Sequence, residues 1–192
     1  MQGQIINNPN LEFLRPVLER WVDCIDRFNQ FHGDAEAPYW HGTQANIGML
    51  AAAAWQAELA ALQQFTSKKQ RDEGEQEGRC DLSICSADET LYLSVSQRWP
   101  KVARLDMASA LQETTALARH KAYASQLKAG ALFITPCKVG QHASPEELQD
   151  LLDDLQKHTA CAIAWYFPYA YRKLHNETGQ YYPGVALLLK QA

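Results

Sequence analysis

Residues 78–97 read GRCDLSICSADETLYLSVSQ. Two short apolar runs flank the turn-like SADE, the pattern of a β-hairpin. Side chains on a strand alternate between its faces. In the first strand, predicted over 79–86, Cys80, Leu82 and Ile84 share one face and Arg79, Asp81 and Ser83 the other. In the second, over 90–97, Leu91, Leu93 and Val95 point one way while Tyr92, Ser94 and Ser96 point the other. Paired as a hairpin, the polar faces coincide, and Asp81 stands close to Ser94 or Ser96.

On the N-terminal side, Asn10 is placed to cap a helix over 10–30. Its apolar stripe is Leu11, Leu14, Leu18, Trp21, Val22, Ile25 and Phe28, recurring at helical steps. A loop rich in Gly, Asp and Pro follows over 31–42 and ends in PYWHG. A second helix is predicted over 43–65. Its stripe runs through Ile47, Leu50, Ala51, Ala54, Glu58, Ala61, Leu62 and Phe65, so one member is a carboxylate. The segment TSKKQRDEGEQEG, 66–78, reads as an exposed polar loop.

On the C-terminal side, Asp106 can cap a third helix reaching Lys128, with Gly130 as its stop. ALFITPC, 131–137, is a continuous apolar run of the kind a buried strand shows. Ser144-Pro145-Glu146-Glu147 combines a capping serine, a proline at the first helical position and a glutamate three residues on. It opens a helix to about 158. Two further strands are expected at 160–168 and 184–190. Helices alternating with apolar strands make this an α/β chain: a single domain over 1–192, with a mixed central sheet of about five strands flanked by helices.

This order of elements resembles the core of the PD-(D/E)XK, restriction-endonuclease-like superfamily. In that family a helix bearing a Glu precedes a strand bearing an Asp. The next strand carries Glu-x-Lys or Asp-x-Lys, and a helix and a strand complete the core. Glu58 matches the helix acid and Asp81 the strand acid. The Glu-x-Lys pair falls on Ser94 and Ser96. The match spans about 43–137, within a core of about 43–190 on which the helix at 10–30 packs.

The resemblance implies a divalent-cation site, and the serines depart from it. The family's acids bind the cation through oxygen, and the Lys positions or activates water. A serine offers neither an anionic ligand nor an ammonium charge. The resemblance therefore implies a nuclease-like fold whose site is degenerate: a binding or regulatory protein with no cofactor. In the alternative, an active nuclease holds Mg²⁺ or Mn²⁺ on Asp81 and Glu58 and draws replacement groups from Gln97, Glu113, His120 or Lys121.

Composition narrows the partners. The 192 residues carry a formal net charge of −4, without the basic excess of a bulk nucleic-acid binder. A protein partner or self-association, including a homodimer, is expected rather than nucleic acid or membrane. The aromatic stretches PYWH (38–41) and WYFPYAYRKLH (165–175), with Tyr181 and Tyr182, are candidate contact surfaces. Arg98, Lys101 and Arg104 form a short basic string. Five unevenly spaced cysteines without a C-x-x-C pair read as reduced, buried thiols of a cytoplasmic protein. No phosphate-binding loop, nucleophile elbow or HExxH helix occurs. Cys137 with His142 is a thiol–imidazole pair in sequence, but a thiol ending a buried strand reads as packing.

Overall fold

The computed structural model describes residues 1–71, 74–100, 107–119, 126–157 and 161–192. The chain begins with β1 (Gln2–Ile6), a strand too short and polar to stand out in the sequence. Pro9 opens a 3-10 turn, Pro9–Leu14, and the Asn8 side chain accepts from the Asn10 N–H at 3.0 Å. Asn8, not Asn10, is thus the cap, because Pro9 takes the first helical position. The chain then passes directly into α1 (Arg15–Phe31), which buries Val17, Leu18, Trp21, Cys24 and Ile25.

α2 (Thr43–Gln56) is shorter than predicted. Glu58 adopts a left-handed backbone, φ 63°, and ends the helical run. The chain then forms β2 (Ala60–Arg71), which pairs antiparallel with β3 (Gly74–Cys85) from Ala60↔Cys85 to Arg71↔Gly74. Ala, Leu and Gln at 60–64 are good helix formers, yet pairing with β3 overrides that preference. Most of the segment read as a loop at 66–78 is therefore the distal half of a long hairpin.

β4 (Thr90–Arg98) pairs antiparallel with β3, as the opening stretch implies. α3 (Met107–Arg119) crosses over to β5 (Leu127–Ile134), which lies parallel to β4. Gly130, read as a helix stop, is inside β5. A two-residue strand, β6 (Lys138–Val139), precedes α4 (Pro145–Lys157). The predicted cap forms at α4: the Glu147 N–H donates to Ser144 Oγ at 3.2 Å, and the Ser144 N–H to Glu147 Oε2 at 2.7 Å. β7 (Ala162–Tyr166), β8 (Gln180–Tyr181) and β9 (Val185–Gln191) complete the chain, with β8 pairing β6 in a separate two-stranded sheet.

The main sheet has seven strands in the order β1-β7-β9-β5-β4-β3-β2, not five. The two unforeseen members are its edges, β1 and β2. Of its pairings, only β4–β5 is parallel. One face packs α1 and α2 against Leu82, Ile84, Leu91, Leu93, Phe133 and Leu187. The other packs α3 and α4 against Leu132, Ile134, Ile163 and Leu188. The molecule is thus a three-layer α/β arrangement with helices on both faces. Among the described residues, no helix is long and apolar enough to cross a membrane.

Candidate functional site

The site is set by the β3–β4 pairing. Leu82↔Leu93 and Ser83↔Tyr92 lie opposite one another, and the regular register stops there, one residue short of Asp81. The Asp81 carboxylate fills the break: the Val95 N–H donates to Asp81 Oδ2 at 2.9 Å. A carboxylate oxygen thus serves where a strand carbonyl would. Asp81 is half-buried, so this bond is partly shielded from water.

Ser94 and Ser96 lie on the α3 side of β4, but Ser94 is only 3% exposed. It pairs with Gly130 of β5. A Cβ built on Gly130 would lie 2.6 Å from the Thr115 backbone nitrogen and 2.8 Å from the Thr114 carbonyl carbon. The α3 backbone therefore rests directly on the sheet beside Ser94. Thr114 and Thr115 are buried there, and their hydroxyls donate back to Ala110 O (2.8 Å) and Leu111 O (2.6 Å). Ser96, two residues on, is partly exposed.

The other expected members lie elsewhere. Glu58 is exposed, past the end of α2. That helix packs on the Leu82–Ile84 face, opposite Ser83 and Ser94, so the structure does not bring Glu58 to the serines. Arg79 bonds Gln64. Gln97 shares the face of Leu91 and Leu93 and belongs to a buried amide network under α2. Its Nε2 donates to Tyr39 O (2.7 Å) and Thr135 Oγ1 (2.8 Å), and its Oε1 accepts from Asn46 Nδ2 (3.0 Å). Glu113 on α3 pairs with Arg98 at 3.3 Å, at the end of β4. His120, Lys121, Lys101 and Arg104 lie outside the described residues.

Most aromatic side chains of the two stretches are interior. Tyr39 is fully buried and donates to Tyr182 O at 3.0 Å. Tyr166, Phe167, Tyr171 and Tyr182 are buried, whereas Tyr169 is 78% exposed. Sequence reasoning missed one polar centre here. The hydroxyls of Tyr166 and Tyr171 both donate to Asp26 Oδ1, at 2.7 and 2.9 Å. Burial pushes both phenols well above their ordinary range, and the Asp26 hydrogen bonds push further. The only sequence signal was an acid next to the buried positions of α1.

Near the end of α1, His32 Nδ1 and His41 Nε2 lie 2.7 and 3.0 Å from the two oxygens of Glu36. Cys137 is buried with its thiol toward Trp99 O, and His142 lies edge-on to Tyr181. Among the described residues, no three His, Cys, Asp or Glu side chains are arranged to hold a metal ion. Compared with protein-family models, curated proteins and solved structures, the chain matches none.

Proposed function

We propose that this chain is a non-catalytic protein on a nuclease-like core that acts by binding a partner. α2, the Asp81 strand, the Ser94 strand, α3 and β5 follow the order on which the PD-(D/E)XK resemblance rests, with β2 as one strand more. The observation that carries the reading is Ser94. At the position of the family's second acid stands a serine buried against the α3 backbone. A hard cation such as Mg²⁺ takes oxygen ligands, one or two of them carboxylates of the protein. Asp81 here holds a backbone N–H, and Glu58 belongs to the opposite layer. Protein is favoured as the partner over nucleic acid because the chain is acidic overall.

Calorimetric titration of the pure protein with Mn²⁺, beside Asp81→Ala, tests this. The expected result is no specific binding by either. Binding tighter than about 1 mM that disappears in Asp81→Ala would overturn the reading in favour of a metal-dependent nuclease.

A further inference from the structure

β1 ends the sheet, and its pairing with β7 shows which backbone groups face inward and which face away. The Phe167 N–H donates to Met1 O, and the Asn7 N–H to Cys161 O, each at 2.7 Å. Both pairs continue the register that runs from Gln2↔Tyr166 to Ile6↔Ala162. Backbone groups of successive residues point to opposite sides of a strand. Gly3 and Ile5 therefore also face β7, while the N–H and C=O of Gln2, Gln4 and Ile6 face away from the sheet. Exposed edges are commonly guarded by charge, proline or a bulge. β1, QGQII, has neither a charged residue nor a proline. The sequence of the opposite edge, β2, carries Lys68, Lys69 and Arg71.

We infer that β1 pairs with β1 of a second copy of this chain, antiparallel about a two-fold axis at Gln4, joining two sheets into one. The register follows from the geometry. Gln4 opposite Gln4 of the second copy places Gln2 opposite Ile6 and Ile6 opposite Gln2. Every outward residue then meets an outward residue, and each pair exchanges both hydrogen bonds. A two-fold axis sets a patch against itself, so a patch of one sign would repel. The groove beside this edge is mixed: Glu19, Arg20 and Asp23 of α1 line it with Gln2, Gly3 and Gln4. Arg20 already pairs with Asp23 at 3.1 Å and Glu19 accepts from Gln4 Nε2 at 3.0 Å within one copy, so two such patches meet without a strong field of one sign.

The inference supplies a partner for the binding reading but stands apart from it. Metal titration decides that reading, and the association state decides this one. The full chain is run in sedimentation equilibrium from about 1 to 200 µM, and amide exchange is followed at both extremes. A dimer is expected at the upper end. There the amides of Gln2, Gln4 and Ile6 should exchange at least tenfold more slowly than in dilute protein, with Gly3 and Ile5 protected at both. Gln4→Pro removes an outward N–H that β7 does not use, and is expected to be monomeric with an unchanged circular dichroism spectrum. A chain that is monomeric throughout overturns the inference. So does a dimer in which the three outward amides stay fast, a result that needs no variant.

Discussion

The Val95 N–H donates to the Asp81 carboxylate at 2.9 Å, across the point where the β3–β4 ladder breaks off. The Asp81 carboxylate is thus part of the sheet's own hydrogen bonding. Asp81→Ala is expected to leave that N–H partly buried and unpaired, lowering stability by about 1–3 kcal/mol. Asp81→Asn, which keeps an accepting oxygen, should lose less. Urea midpoints of the two variants beside wild type check this. Equal losses would show that the hydrogen bond contributes little.

Gly130 lies under the backbone of α3, with Thr115 N 2.6 Å from where a Cβ would stand. A backbone neighbour cannot rotate away as a side chain can. Gly130→Ala is therefore expected to destabilise by about 1–3 kcal/mol or more, although alanine is ordinarily tolerated in strands. Thermal unfolding reads the effect. A neutral result would mean that α3 can lift from the sheet, reopening the space beside Ser94.

Asp26 receives two phenol hydroxyls on one oxygen. Their pKa values are raised by burial first and by the Asp26 hydrogen bond second. A raised folded-state value stabilises the protein below the unfolded tyrosine pKa of about 10, and that contribution is lost as pH rises toward the folded value. Asp26→Asn removes the anion, so Tyr166 and Tyr171 should ionise at lower pH. Ultraviolet titration of the phenolates follows this directly. Identical titration curves would remove Asp26 from the argument.

Glu147 closes the α4 cap. The Lys138 ammonium, first, and the Ser144 N–H, second, hold its carboxyl below the ordinary value of 4.5. The sign is opposite to the tyrosines. A lowered folded value stabilises above the unfolded pKa and is lost as pH falls through the folded one. Wild type should exceed Glu147→Gln in urea midpoint at pH 7, and the gap should close below about pH 4. A gap independent of pH would assign the effect to cap geometry alone. The Glu147 side chain is 39% exposed, so solvent screening keeps the expected difference small.

Local chemistry made part of the fold legible. The 78–97 hairpin, the Ser144–Glu147 cap and the apolar runs that became β5, β7 and β9 each depend on near neighbours in sequence, and each appears close to where it was read. The alternation that put Ser94 and Ser96 on one face is a property of any strand. The segment 60–71 was different. Residues 60–65 read as the end of a helix and 66–71 as a polar loop, and both are strand because β3 offers them a ladder of partners. β1 shows the same dependence in a shorter piece: five residues hold as a strand only through β7, more than 150 positions away. Asp81 and Ser94 could be named from the pattern. That α3 seals Ser94, that Gln97 turns to Asn46 and Tyr39, and that Glu58 stands in the opposite layer depend on how helices pack across a completed sheet. Those contacts join residues distant in sequence, and no local preference encodes them.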